Sequence, residues 1–348
     1  MNPHLSGKQV RQRAQLERLR LLLGFYKKDL AARLGATRKL FGRPVCLVDI
    51  HTHSLHSDGL GTVTENAERV KACGLDFFFA TDHGSLRQKQ AVKKLSHAGW
   101  GQEPGAGMHH IGLLANTRLF RPRLDSIGTD FYRAQKLAPF VWIPHPAGWY
   151  PVTNYTPKQI KSLWQLGPAF AMEIINGATQ MINAYDKSDQ QAVLAWDRLL
   201  CDGRKVTAVA GSDAHSPDDI GTTWTGVLIS RRSATAIIQA LNQGLCFASE
   251  STLMDFSCNN KPMGTTIRVR PKTPLTFRFR VADAGGLASI RIISQGQVIK
   301  TIVANNRKVM TGSLIQPALR QPAYFRLETT ASDDRRAFST PIYIELVR

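Results

Sequence analysis

Apolar residues recur along this chain with two different periods, and the period changes with position. From about residue 8 to residue 40, Leu16, Leu19, Leu23, Tyr26, Leu30 and Leu34 return at three- and four-residue steps. That spacing predicts a helix with one apolar face. Arg and Lys fill most of its other positions, and Gly42-Arg43-Pro44 ends it. Such a helix either packs its Leu face on the body of the protein or lies on a membrane or nucleic acid. Compact apolar runs follow at 45–50, 75–80, 110–115, 140–143, 169–175 and 206–210, each the length of a buried strand. Helical stretches at 63–73 and 189–201 separate some of them, and another helix is expected over Ala234–Asn242. Strand–helix alternation of this kind predicts an α/β fold with a parallel sheet or barrel. The segment His97-Ala98-Gly99-Trp100-Gly101-Gln102 reads as a poor strand.

Beyond Leu253 the period shortens to two. Residues 276–281, 290–293 and 341–346 alternate apolar with polar, as half-exposed antiparallel strands do. Three parts are expected: a basic helical extension at 1–43, an α/β unit at 44–253, and a β-rich, sandwich-like unit at 254–348.

Charge sharpens this division. The formal net charge is +19. Eleven Lys and Arg face two acids before Pro44, and fifteen face six from Met254 onward, so the middle is nearly neutral. Basic flanks attract anionic partners, nucleic acid among them, or simply keep a surface solvated. The five cysteines are widely spaced, with no zinc-finger or redox pairing, and read as buried reduced thiols. No secretory leader or membrane-length apolar run stands out, so the chain reads as soluble and cytoplasmic.

Candidate chemistry sits at the ends of the apolar runs. His51-Thr52-His53 follows the first, and residues i and i+2 of an extended chain point to one side. Two imidazoles so placed can reach one cation. Asp58 lies on the next turn, in Ser57-Asp58-Gly59. Later runs end in Thr81-Asp82-His83, in His145-Pro146 and in Gly211-Ser212-Asp213-Ala214-His215. In barrels the carboxyl ends of strands build the active site. A lone buried His is usually a core residue, but four strand ends carrying His or Asp are hard to assign to packing. His56 and His97 read as exposed polar positions.

The segments HTHSLHSDG (51–59), TDH (81–83), HP (145–146) and GSDAH (211–215) together resemble the polymerase and histidinol phosphatase (PHP) superfamily across roughly residues 45–250. IGTTWTGVLI, ALNQGLCFAS and the STPIYIEL ending make the chain look most like the carbaryl-hydrolase-type branch. The resemblance implies a distorted seven-stranded barrel holding two to three divalent metals. One would be held by His51, His53 and Asp213. A second would be held by His145 and a histidine after the third strand, His110 in preference to His109. Glu103 is the candidate carboxylate bridging these two, and Asp58, His83 and His215 would hold the third. So many neutral imidazoles suit Zn, Mn or Fe better than Ca. Glu173, Asn176, Asp49 and Asp82 are read as groups that orient the ligands or as hydrogen-bonded rim residues.

The function expected is metal-dependent hydrolysis of a phosphate ester by a metal-bridging hydroxide, with Asp213, His215 and Glu103 at the reacting centre. Three alternatives stand beside it: a carbamate or carboxylic ester hydrolase with the same metals, a nuclease or nucleic-acid-binding protein using the basic flanks, and a metal-free binding scaffold. Loops at 86–107 and 148–156, with Trp149, Tyr150 and Tyr155, are expected to set specificity or to pack. The substrate is expected to be small and phosphorylated or esterified.

Overall fold

The computed structural model describes residues 30–106, 109–124, 126–149, 153–177, 185–317 and 319–347. Most of the predicted basic helix, with Leu16, Leu19, Leu23 and Tyr26, lies outside the described residues, as does Tyr150. Its last turns form helix α1 (30–41), and here the face packs inward: Leu34 and Phe41 are buried. Arg33 on the same helix reaches the buried Asp283 carboxylate at 2.7 Å, which ties α1 to the C-terminal half.

Strands and helices then alternate as the sequence pattern predicts. The order is β1 (Cys46–Thr52), α2 (Val63–Ala72), β2 (Phe77–Ala80), α3 (Gln88–Val92) and β3 (Ala98–Gln102). A small hairpin, β4 (Gly105–Ala106) and β5 (His109–His110), precedes β6 (Gly112–Leu114), α4 (Ile127–Gln135) and β7 (Phe140–Ile143). A second small hairpin, β8 (Gly148–Trp149) and β9 (Thr153–Asn154), leads to α5 (Pro157–Ser162), β10 (Ala169–Asn176), α6 (Lys187–Cys201) and β11 (Lys205–Gly211). Strand β12 (Trp224–Val227), α7 (Ala234–Asn242) and β13 (Cys246–Ser249) complete this half. Thr62 caps α2: its hydroxyl accepts from the Glu65 backbone N–H, and the Glu65 carboxylate accepts from Thr62 N–H in return.

Pairing runs β1–β2–β3–β6–β7–β10–β11, parallel throughout except for β6, which is antiparallel to both neighbours. A parallel bridge between Thr52 and Ala214 returns from beyond β11 to the end of β1. Alternate residues, among them Val48, Ile50, Phe77, Phe79 and Trp142, form one apolar cluster with Ile237 and Leu241 of α7. Gly112 exists at close quarters: a Cβ there would lie 2.3 Å from the Trp142 ring. The register of β1 against β2 shifts between Asp49 and Thr52. A bulge of this kind re-aims side chains. It places the His51 ring edge-on to inward-facing Trp142, at 6.0 Å between ring centroids.

The C-terminal half is strand-rich: β14 (Leu253–Cys258), β15 (Lys261–Pro262), β16 (Thr266–Val269), β17 (Leu275–Ser294), β18 (Gln297–Gln316), β19 (Ala323–Ala331), β20 (Arg336–Ser339) and β21 (Ile342–Leu346). Strand β20 pairs with β13, so the sheet continues past residue 253 without a break.

Several local expectations change. Residues 98–102 form a strand despite two glycines, because Gly99 lets the Phe79 ring approach and the backbone finds partners on β2 and β6. The single run at 110–115 divides between β5 and β6. The runs at 276–281 and 290–293 are one strand, β17, with its register shift near Gly285-Gly286. Cys201 is exposed, unlike the other four cysteines. His97 is half-buried, while His56 is exposed as expected. No described helix is long and apolar enough to cross a membrane.

Candidate metal centre

The ends of these strands converge. His51 closes β1 and His53 follows it; both are fully buried. The Asn66 amide, carried on the apolar face of α2, donates to the His53 carbonyl at 2.9 Å. Glu103 follows β3 directly and is 1% exposed. His145 follows β7, and Asp213 and His215 follow β11. Two of these residues hold left-handed backbone conformations, His145 with φ 27° and Asp213 with φ 48°. Such conformations cost about 1–3 kcal/mol each in non-glycine residues and cluster at functional sites.

Four side chains meet at the centre. His51 Nε2 lies 3.0 Å from Glu103 Oε2 and 3.2 Å from Asp213 Oδ1. His53 Nε2 lies 3.3 Å and 3.0 Å from the same two oxygens. The two imidazole nitrogens are themselves only 3.2 Å apart. The other Glu103 oxygen, Oε1, faces His110 Nδ1 at 2.9 Å and His145 Nε2 at 2.8 Å. At the mouth, Asp58 Oδ2 is 3.3 Å from His215 Nε2 and 3.7 Å from His83 Nε2, while Asp58 Oδ1 is 3.8 Å from His53 Nδ1. His109 turns away, with Nε2 on the Gln159 carbonyl at 2.7 Å.

Surrounding groups settle which ring nitrogen stays open. His51 Nδ1 donates to Glu173, so that a neutral His51 ring would present the lone pair of Nε2 to the centre. His83 Nδ1 donates to the Glu103 carbonyl at 2.6 Å and His215 Nδ1 to the Asp213 carbonyl at 2.8 Å, so both Nε2 atoms face Asp58. Glu173 Oε2 also accepts from His145 N–H at 2.9 Å and from Asn176 Nδ2 at 3.1 Å. Asn176 Nδ2 reaches Asp213 Oδ2 at 3.3 Å. Asp49 accepts from the N–H groups of His51 and Ser212, and Asp82 from Ser54 and Ser57. All four residues read as orienting groups thus touch the cluster or its loops. Ser212, Asn66 and Trp142 were not singled out from the sequence; Asn66 alone left a signal, as a polar residue among Val63, Ala67 and Val70 on a buried helix face.

Buried carboxylates dominate the electrostatics of the site. Burial opposes the charging of His51, yet the carboxylates of Asp213, Glu103 and Glu173 hold its pKa well above the ordinary value. For His215 burial is again outweighed, by Asp58 and Asp213, and its pKa rises to about 10. Burial pushes the Asp49 carboxyl up to about 7. Glu103 Oε2, His53 Nδ1 and His145 Nδ1 are buried without a hydrogen-bond partner. A buried carboxylate oxygen with no donor, among imidazole nitrogens aimed at it, is the donor set a divalent cation requires. Three groups of the described residues have that form: His51, His53, Glu103 and Asp213; His53, Asp58, His83 and His215; and His83, Glu103 and His110. Because His83 Nδ1 is committed to a carbonyl, the hydrogen-bonded grouping of Glu103 with His110 and His145 is the better-formed alternative to the last.

Two expectations follow. A Cβ at Gly211 would lie 2.5 Å from His51 Cβ and 2.6 Å from Glu173 Oε1. Gly211→Ala should therefore cost roughly 1–3 kcal/mol of stability and weaken metal affinity by about 10–100-fold. Melting curves and a metal titration check both, and an unchanged affinity would contradict the geometry. Second, a ligand imidazole must be neutral. His215 is protonated at neutral pH in the metal-free chain, and its proton must leave as a cation arrives. Affinity should fall by about tenfold per pH unit per displaced proton as pH drops. Calorimetry in two buffers of different ionisation enthalpy measures the protons released, and zero release would refute the argument.

Comparison with known proteins gives partial likenesses. No curated protein matches the chain. A two-domain protein from Bacteroides vulgatus containing a predicted PHP-like metal-dependent phosphoesterase is 18% identical, covering 88% of this chain and 96% of that one, with a TM-score of 0.48. A candidate metal-dependent phosphoesterase from Bifidobacterium adolescentis is 12% identical over 49% of this chain and 88% of its own, with a TM-score of 0.34. An amidohydrolase from Chromobacterium violaceum is 15% identical over the same shares, 49% and 88%, with a TM-score of 0.33. Residues 199–246, which carry Asp213 and His215, match the family model described as PHP-associated.

Proposed function

We propose that this protein is a metal-dependent phosphoesterase of the PHP superfamily, built on a distorted barrel closed where Thr52 meets Ala214. The observation that carries the reading is the central quartet. Two imidazole nitrogens 3.2 Å apart converge with two buried carboxylates on one small space, an arrangement that a divalent cation among them would satisfy. The PHP-associated match at 199–246 supports the family, and the IGTTWTGVLI run beyond His215 supports the carbaryl-hydrolase-type branch.

Three metal positions follow from the donor atoms. His51, His53 and Asp213 would hold one, His110 and His145 a second, with Glu103 shared between them through its two oxygens. Asp58, His83 and His215 would hold a third. Divalent Zn, Mn or Fe would supply Lewis acidity and a water acidified toward neutral pH. The chain's own groups do the rest. Glu173 fixes the His51 ring through Nδ1 and the His145 backbone through its N–H. Asn176 holds Asp213 Oδ2, leaving Oδ1 toward the centre. Asp58, half-exposed with His83 and His215, forms the polar mouth through which a phosphoryl group reaches the buried quartet.

Purified protein supplied with Mn or Zn should release phosphate from phosphomonoesters, and His51→Ala should not. Turnover of aryl acetates or carbamates without phosphate release would favour the carbonyl-directed alternative. Less than one equivalent of metal, not regained on reconstitution, would refute the enzyme reading.

A further inference from the structure

The two sides of this site differ in chemistry. On the Asp58 side the mouth is polar, with Asp58 55%, His215 39% and His83 31% exposed. On the Glu103–His110–His145 side it is aromatic. The Trp149 ring lies 4.7 Å from the His145 ring and 6.0 Å from the His110 ring. Tyr155 stands 6.3 Å from His145 and 6.2 Å from Trp149, at a steep angle to each. Both are half-buried, and neither the Trp149 indole N–H nor the Tyr155 hydroxyl makes a hydrogen bond to another described residue. The phenol is close enough to Glu103 and Asp213 for their charges, after burial itself, to oppose its ionisation, so it remains a donor.

Two aromatic residues whose polar tips find no partner among the described residues, beside a metal-type site, are unlike a packed core, where Trp and Tyr usually find a partner for the N–H or O–H. They come from the β8–β9 hairpin and the residue after it, which stand over His145.

We infer that Trp149 and Tyr155 form the leaving-group subsite, and that the substrate is an aryl or arylalkyl phosphoester whose ring packs on Trp149 while its phosphoryl group occupies the histidine–carboxylate cluster. The inference rests on the metal-centre reading above and names the substrate class of that site. An uncharged ring fits better than a cationic head group, because among the described residues the carboxylate recorded against His110 and His145 is Glu103, already held by those two rings, and the chain carries a net charge of +19. Trp149 and Tyr155 are specificity residues here: they meet the departing alcohol, and the bond to phosphorus breaks elsewhere.

The test is binding, independent of turnover. Metal-loaded full-length protein is titrated calorimetrically with methylphosphonate, cyclohexylmethylphosphonate and benzylphosphonate, and its metal content is measured on the same sample. Benzylphosphonate should bind at least about tenfold more tightly than methylphosphonate and more tightly than the cyclohexyl compound. Trp149→Ala, compared with the parent at equal measured metal content, should bring the benzyl- to methylphosphonate affinity ratio close to one, and Trp149→Phe should restore part of it. Equal affinity for benzyl- and methylphosphonate, or a preference that survives Trp149→Ala, would overturn the inference and leave the metal centre standing. Failure to hold metal would instead bring down the metal-centre reading and the subsite with it.

Discussion

Glu103→Gln should strip metal from the protein and lower hydrolysis by at least about a thousandfold, equivalent to roughly 4 kcal/mol of lost transition-state stabilisation. The expectation follows from how many nitrogens one carboxylate serves. Its Oε2 lies 3.0–3.3 Å from His51 and His53, and its Oε1 lies 2.8–2.9 Å from His145 and His110. Gln keeps the shape and removes the negative charge. It also turns an amide N–H₂ toward imidazole nitrogens that should face a cation. Metal analysis and phosphate release should fall together, while circular dichroism should stay close to that of the parent because the side chain is isosteric. A Glu103→Gln protein that keeps full metal and full activity would remove the carboxylate from the mechanism and shift attention to Asp213.

The second large effect is thermal. Glu103, Asp213 and Glu173 are buried within one cluster, and without a cation only imidazolium protons offset their charge. A metal that binds the folded state alone, at about a thousand times its dissociation constant, stabilises by about 4 kcal/mol per site. For an α/β unit of this size that is a rise of about 8–16 °C in melting temperature. Zn, Mn and Fe compared side by side should rank by affinity, and a chelator should reverse the gain. His51→Ala should lose most of it. A melting temperature indifferent to every metal and to chelator would mean that the cluster balances its own charge and that the protein is a scaffold.

Much of this site could be read from the chain because strand ends announce themselves. An apolar run followed at once by His or Asp needs no alignment to be noticed, and His51, His53, Asp82, His83, His145, Asp213 and His215 all stand there. The structure brings Glu103 and His110 to the same place, although the strand before Glu103 is masked by two glycines. Those glycines exist because the Phe79 ring and the Leu113 carbonyl occupy the space of a Cβ, a tertiary cause that local composition cannot reveal. The bulge in β1, the left-handed backbone at His145 and Asp213, and the burial of Glu173 beneath His51 were equally out of sight. The β1 bulge is set against β2 and Glu173 lies against His51, in both cases partners more than twenty residues away. In the C-terminal half the sequence pattern separates 276–281 from 290–293, yet Gly285 and Gly286 between them lie within one continuous strand, and a Cβ at Gly285 would strike the Arg33 side chain of α1.

The pairing of β13 with β20 carries a cost during synthesis. Phe247, Ala248 and Ser249 emerge from the ribosome well before their partners Ser339, Phe338 and Ala337. With about ninety residues between them and translation at about 5–20 residues per second, roughly 5–20 s pass before the partners exist. Throughout that interval the nascent chain offers an apolar strand edge to any neighbour. The Glu250 carboxylate beside it likewise waits for the Arg336 amide. The last hundred residues thus act as a late-arriving cover for a structure already largely made, and a chain halted before them would meet its neighbours edge first.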